Sequence, residues 1–474
     1  MKAKNWLIIW FITVITALII VGIQVYRVDP FFHYRKPDTD TYFYVMDNER
    51  SQNDGIVKHF TYDAIITGTS LVETFRTSEM DAIFGCNSIK IPFPGASYRE
   101  INDAVRTALQ YNPDVRIVVR CLDISHFYDS SDDMRDDMGV FPTYLYDNNP
   151  FNDVEYLLNR DIAFDRAIDM EIDAGREGYD PGITSFDEYG VPDEEFTYGI
   201  GNHFFTVQEP EEWIHLSDEQ RAVIEENIRL NVTDIADEHP DVDFYYYYPM
   251  YSVAWWCSLY NEGSIYSMLE AERYITELIL SHDNIHLYSF IGCSDINSDL
   301  NNYRDFIHCG PWINSLILEW LNEGRYQLTL DNYDEVLSGE LDYLTTFDYE
   351  SLNGQTDYEH DYYAAALINR ELTGAEPVSV YDYCEVDDDY AIDAVYFNVD
   401  LDEGYNCLVF RVPEDLSGDG PCVRVYDQDN GLVLEDDFWD CNTDDEYPFA
   451  VDLSGIEGVV EIVIIGDCCD ITLY

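Results

Sequence analysis

Basic residues are what this chain lacks most: 25 Lys and Arg stand against 94 Asp and Glu, a formal net charge of −69 at pH 7. Such an excess repels nucleic acid and anionic lipid headgroups. It also argues against phosphate-rich ligands wherever no local basic patch offsets it. No CxxC pair occurs among the 11 cysteines, which argues against a zinc ribbon. Their odd number leaves at least one thiol free or bridged to another chain, and the redox compartment stays open. Neither a metal nor a cofactor is expected. Asp427-x-Asp429-Asn430-Gly431 resembles part of a calcium loop but lacks the distal Glu, so Asn430-Gly431 reads as a hairpin turn. Apolar content is not lacking. Hydrophobic residues make up 46% and aromatics 15%, with 39 tyrosines, and 474 residues suffice for two or three domains with proper cores.

Charge is absent altogether from Trp6–Tyr26. At ~1.5 Å per residue that run spans a ~30 Å hydrocarbon core. No small-x-small cleavage site follows before Arg27, so an uncleaved single span is expected, with residues 1–5 cytoplasmic and everything after Arg27 outside. Lys2 and Lys4 precede the run, but Arg27, Arg35 and Lys36 flank its other end, which weakens the positive-inside signal. The competing reading is a buried core helix.

The stretch around which the rest is organised is Thr61–Phe75, TYDAIITGTSLVETF. Its apolar run ends abruptly in Gly68-Thr69-Ser70, as a buried parallel strand ends before a helix. Ser70 then stands where a nucleophile is presented, beside unpaired N–H groups able to stabilise an oxyanion. The plainer reading is a tight turn with a Ser cap.

Further strands are expected at Cys86–Ile91, Val115–Cys121, Val242–Tyr248 and Ile285–Phe290, alternating with helices, of which Ser217–Gln220 opens one with a capping box. That alternation implies an α/β fold, a parallel sheet covered by helices on both faces. Residues 27–60 read as a juxtamembrane segment and 61–330 as the α/β domain. Residues 126–212 read as an insertion roofing the sheet's C-terminal edge, with one amphipathic helix over Asn152–Asp173. Residues 331–375 look like an acidic helical connector. In 376–474 about eight short strands with turns between them indicate a β-sandwich or jelly roll. Asn231-Val-Thr233 is a glycosylation sequon on a predicted helix.

Asp305-x-x-His308 follows the last strand of the sheet and supplies Ser70 with a base and an orienting carboxylate within one loop. With Gly-x-Ser after the first strand and D-x-x-H after the last, the chain resembles the SGNH hydrolases, or GDSL-type esterases. The resemblance covers roughly residues 62–324 and implies a flavodoxin-like sheet. It implies Ser70, His308 and Asp305 as the catalytic triad, and the N–H groups of Ser70 and Gly95 as the oxyanion hole. The family's Asn oxyanion donor is missing. Its strand ends in Cys121-Leu122-Asp123, and an ionised Asp123 cannot donate.

In layout the chain is similar to anchored accessory proteins of cell-envelope polysaccharide O-acylation. Examples are alginate acetylation proteins and the protein that helps D-alanylate teichoic acids. That resemblance implies a cell-surface glycan or other acyl-ester substrate and a membrane-bound acyltransferase partner, while the acidic charge balance speaks for no nucleic acid. Tyr98, Arg120, Asp123, His126, Trp255 and Trp256 are candidate pocket residues. Tyr245–Tyr248 with the two tryptophans forms a sugar-stacking platform on one reading and plain core packing on the other. Cys309 beside the base mimics a catalytic thiol but has no second His to activate it. Three readings compete: an esterase or acyltransferase, a catalytically degenerate binding protein, and a subunit of a polymer-export assembly.

Overall fold

The structure, a computed structural model, describes residues 3–135, 141–147, 149–176, 178–191, 198–199 and 205–355. Beyond these it describes 378–379, 385–386, 394–401, 407–411, 422–427, 432–437, 449–453, 456, 458–465 and 469–473. It divides into two compact units, residues 1–197 with 202–355, and residues 198–201 with 356–474.

The first unit is built on five parallel strands, β1 (Ala64–Gly68), β2 (Ser88–Pro92), β3 (Ile117–Cys121), β4 (Asp243–Tyr248) and β5 (Ile285–Ser289). An antiparallel edge strand, β6 (Gln327–Leu328), completes the order β2-β1-β3-β4-β5-β6. The expected α/β class is what is observed. β1, β2 and β3 are buried end to end, as a sheet covered on both faces requires. β1 lies inside the sheet between β2 and β3, and the turn after it opens at the sheet's C-terminal edge, where α/β folds bind ligands. β6 was not foreseen, because two residues carry no readable period.

Helix α1 (Ala3–Val28) contains the uncharged run, and among the described residues it is the one helix long and apolar enough to cross a membrane. It is exposed along its apolar length, which disposes of the buried-core-helix reading. Residues 27–60, expected as a juxtamembrane segment, instead form part of this unit. Helix α2 (Glu49–His59) buries Gln52–Val57, and Gly55 sits so close to Phe31 that a Cβ there would come within 2.4 Å of its carbonyl oxygen.

The sheet's other helices are α3 (Thr77–Phe84), α4 (Tyr98–Tyr111), α5 (Asp218–Ile228), α6 (Val253–Glu262), α7 (Ile265–Ile279) and α8 (Pro311–Glu323). Ser217 and Gln220 form the expected capping box on α5, and Ser97 with Glu100 forms a second one on α4. The single helix expected over 152–173 is broken into Val154–Leu157, Arg160–Ile162, a π turn and Asp169–Asp173. Asn159 causes the break, since its side chain accepts from the N–H groups of Asp161 and Ile162 as a new N-cap. Asn231 of the sequon is buried, bonded to Ser131 O and Asn227, and so closed to glycosylation.

Residues 331–355, expected to begin a connector, also pack in the first unit. Helix α9 (Tyr333–Thr346) buries Glu340 against Glu272 of α7, with Ser289 Oγ donating to Glu340 at 2.6 Å and lying 3.3 Å from Glu272. Burial raises both carboxyls above the ordinary 4.5, and their mutual proximity raises Glu272 further. An acid whose folded pKa is raised binds more protons folded than unfolded, so stability falls as pH rises above 4.5. Melting temperature should therefore drop between pH 5 and 8. Glu340→Gln, which keeps the shape without the charge, should flatten that slope and raise the pH 8 value by a few degrees. Thermal scans of both proteins at the two pH values check it.

The second unit is two antiparallel sheets. One has five strands in the order Glu385–Val386, Ala394–Asp400, Val459–Ile465, Cys422–Tyr426, Leu432–Asp437. The other has Phe449–Asp452, Cys407–Arg411, Cys469–Leu473, Val378–Ser379. Leu408 and Val451 of the second sheet share one core with Val423, Val425, Val460, Ile462 and Ile464 of the first, a sandwich arrangement. The Asn430-Gly431 turn lies outside the described residues, though the strands on either side of it pair antiparallel.

Candidate active site

Gly68 ends β1 where a side chain has no room, since a Cβ there would lie 2.8 Å from Val72 and 2.9 Å from Cys121. The chain turns at once into a short 3-10 turn, Ser70–Val72, not the longer helix expected, and α3 begins only at Thr77. Ser70 is half-buried on that turn. Its Oγ lies 2.7 Å from His308 Nε2, and His308 Nδ1 lies 2.6 Å from Asp305 Oδ2. The three candidate triad residues therefore stand in one hydrogen-bonded line, although 238 positions separate Ser70 from His308.

The loop after β5 is held rigidly enough to present this line. Tyr303 and Cys309 form an antiparallel bridge, Arg304 N–H donates to His308 O, and Gly310 N–H donates to Asn302 O. Ser252, just after β4, donates to Phe306 O from both its N–H and its Oγ. Pro311 then starts α8 at N1, as the sequence indicates. From α8, Asn314 Nδ2 donates to Thr74 Oγ1 at 2.7 Å and to Leu71 O at 3.4 Å, tying the histidine loop to the serine turn.

Asp305 Oδ1 accepts the N–H groups of Ile307 and His308, each at 2.9 Å. Burial opposes ionisation of Asp305, but the bonds and charge of His308 with those two backbone donors hold its carboxyl down at about 2. An ionised carboxylate only accepts, so Nδ1 of His308 carries the proton and Nε2 is left to accept from Ser70 Oγ–H. That is the tautomer a general base requires.

Asp123 has a different place from the one its missing amide implied. It is buried, and its Oδ2 accepts Thr69 Oγ1 at 2.6 Å. Its Oδ1 accepts the Ser125 N–H and Oγ and the Tyr251 hydroxyl. Asp123 thus fixes the residue immediately before Ser70. The Thr69 hydroxyl is thereby committed to a buried carboxylate, and the backbone that leads into Ser70 is held from β3. The sequence signal was the pair of departures taken together, Thr69 and Asp123.

Gly95 lies three residues past β2, whose Pro92 is in register with Gly68 of β1, so its loop leaves the sheet beside the serine turn. Its φ of +59° is left-handed, and a Cβ would come within 2.0 Å of the Arg135 guanidinium, which itself bonds Pro94 O at 2.7 Å. Lys90 is a residue that pattern reading missed. It is buried in β2 and donates to the carbonyls of Glu73, Phe75 and Asp187, bracing the end of the serine turn, and burial pushes its ammonium down to about 7. A lysine inside the apolar strand SIKIP was its only signal.

Several candidate pocket residues are core instead. Arg120 is 1% exposed and spends its guanidinium on Asn231 O, Tyr98 O and the faces of Tyr98 and Tyr246. Tyr98 is buried with its hydroxyl on Asp123 O, and Trp256 and Tyr246–Tyr248 are buried too. The packing reading of the tyrosine run is therefore the one observed, because the strand that carries them is internal. Trp255 stays half-exposed, edge-on to Tyr251. His126 Nδ1 lies 2.7 Å from Asp129. Burial works against its protonation, but the Asp129 bond and nearby Asp123 raise its pKa overall.

The Cys309 thiol donates to Asn314 and is pushed up to about 12 by burial, so it is no nucleophile. Iodoacetamide at pH 8 should leave it unmodified, and Cys309→Ala should keep activity within a few-fold of wild type, as peptide mapping and ester kinetics would show. Among the described residues no group of three or more His, Cys, Asp or Glu is disposed to hold a metal ion.

No family model and no curated protein matches this chain. Among solved structures, a Streptococcus pneumonia protein provisionally named a platelet activating factor aligns at 10% identity. The match covers 58% of this chain and 88% of that one, with a TM-score of 0.28. A two-domain esterase active on acetylated mannans aligns in two crystal structures. With mannopentaose it gives 9% identity, 92% and 90% coverage and TM-score 0.25; without it, 9%, 92% and 91%, and 0.23.

Proposed function

We propose that this protein is a membrane-anchored extracytoplasmic serine esterase or O-acyltransferase of the SGNH type, acting on acetyl or other acyl esters of cell-surface glycans. One observation carries the reading: Ser70 Oγ, His308 and Asp305 are joined by hydrogen bonds of 2.7 and 2.6 Å at the C-terminal edge of a parallel sheet. Ser70 Oγ attacks the ester carbonyl carbon while His308 Nε2 takes its proton. The tetrahedral oxyanion is met by backbone N–H groups, with those of Ser70 and Gly95 assigned that role. His308 returns the proton to the leaving alkoxide as the C–O bond breaks, giving an acyl-serine. Water or an acceptor hydroxyl then attacks the acyl carbon, passing its proton through His308 to Ser70. Hydrolysis and transfer differ only in that second nucleophile, and a membrane-bound acyltransferase would be a natural source of acyl groups.

Helix α1 supports the anchor by length and composition. The second reading, a degenerate surface protein that binds carbohydrate or serves an export assembly, draws on Asp123. It occupies the family's Asn position, and its oxygens are already engaged. Losing one oxyanion donor costs roughly 2.7–4 kcal/mol of transition-state stabilisation, so slow turnover on simple esters is expected. The separating experiment compares wild type and Ser70→Ala on p-nitrophenyl acetate and on an acetylated glycan. Equal rates on both substrates would leave the binding protein standing.

A further inference from the structure

The last turns of α1 carry a polar marker that fixes a level along the helix. Gln24 Nε2 donates to Glu171 at 3.1 Å, Arg27 pairs with the same carboxylate at 3.0 Å, and Tyr42 donates to it at 2.7 Å. A paired carboxylate does not lie in hydrocarbon facing lipid, and Tyr26 with Arg27 is the pairing found at a bilayer surface. If α1 crosses the membrane, the level of Gln24–Arg27 is therefore its outer surface.

On the N-terminal side of that level α1 is not alone. A groove of about 540 Å³ runs along it, lined on one wall by Ile15, Ile19 and Gly22 and on the other by Phe151, Val154 and Leu158. No charged side chain lines it. Leu158 lies 3.7 Å from where a Cβ on Gly22 would stand, so the glycine lets the two walls close at one end. From Ile15 to Gly22 the wall descends about 10 Å along the helix at 1.5 Å per residue, roughly a third of a ~30 Å core. Phe151 is 90% exposed and Val154 51%. Asp153 of the same segment turns inward to Tyr34 and His33 and shows no charge to the outside. Exposed Glu155 limits the depth, since its end of the segment stays in the headgroup layer.

We propose that Pro150–Leu158 is inserted into the outer leaflet beside α1, and that acyl chains of bilayer lipid fill the groove between them. The proposal rests on the reading of α1 as a membrane span. It gives the protein a second membrane contact, which limits rotation of the α/β unit about its single anchor. A net charge of −69 does not oppose it, because the contact is with hydrocarbon and not with anionic headgroups.

The test places the photocrosslinking residue p-benzoylphenylalanine at position 19, 151 or 111 of the full chain, one at a time. Membranes of the expressing cells are irradiated, and lipid adducts are read by mass spectrometry. Ile19 lies in α1, and Tyr111 is an exposed aromatic at the far end of α4. Phospholipid adducts at 19 and 151 but not at 111 are the expected result. Adducts at 19 without 151 would overturn the inserted segment while leaving the span intact. Adducts at neither would overturn both, and adducts at 111 equal to those at 151 would overturn the localised contact.

Discussion

Ser70→Ala and His308→Ala are each expected to lower ester turnover by about 10⁴–10⁶-fold, and the double variant to lose little more. Non-additivity follows from the geometry. Ser70 Oγ has no base without His308, and His308 has no proton to take without Ser70. Asp305→Asn should cost about 10⁴-fold, because an amide facing Nδ1 favours the tautomer whose Nε2 cannot accept. Ser70 and His308 are both partly exposed, so truncation leaves no deeply buried group unpaired and melting temperature should hardly move. Steady-state kinetics on p-nitrophenyl acetate and labelling by a serine-directed fluorophosphonate check this. Full labelling of Ser70→Ala would place the nucleophile elsewhere.

Asp123→Ala should be the most damaging change to stability near the site, at about 3–5 kcal/mol. It strips the acceptor from the Thr69 and Tyr251 hydroxyls and from the N–H and Oγ of Ser125 at once. Asp123→Asn retains one oxygen but turns an NH₂ toward hydroxyls that were donating, so a smaller loss of about 1–3 kcal/mol is expected. Its effect on activity discriminates between two roles. If Asp123 only positions Thr69 and hence Ser70, the Asn variant is slower than wild type. A faster Asn variant would instead mean that the site lacks an oxyanion donor which the new amide supplies. Denaturant unfolding and kcat/KM on one ester settle which holds.

The parallel sheet was legible because buried parallel strands are short apolar runs, and AIITG, VRIVVRC and IHLYS announce themselves against an acidic background. The uncharged run of α1 was legible for the same reason. Asp305 and His308 could be named because their interaction is local: three residues of one loop place Oδ2 against Nδ1. The elements that escaped notice are those whose stability is not local. Glu340 on α9 and Lys90 in β2 are charged residues that a pattern assigns to solvent. Both are buried, since Ser289 and Glu272 receive the one and three backbone carbonyls the other. The amphipathic period over 152–173 was real, but a period does not reveal that Asn159 will cap a new helix in its midst.

By itself, then, the sequence determined the strands, their alternation with helices, and the kinds of side chain at the sheet's edge. Each depends on burial and turn chemistry within a few residues. Only the tertiary structure decided that Ser70 and His308 meet, which requires strand order to bring together loops 238 positions apart. It alone turned Arg120, Tyr98 and Trp256 into core, because the place of each strand or helix in the fold, and not residue type, fixes what faces a cleft. It also gave Asp123 to Thr69, since a carboxylate's role is set by the donors that folding gathers around it.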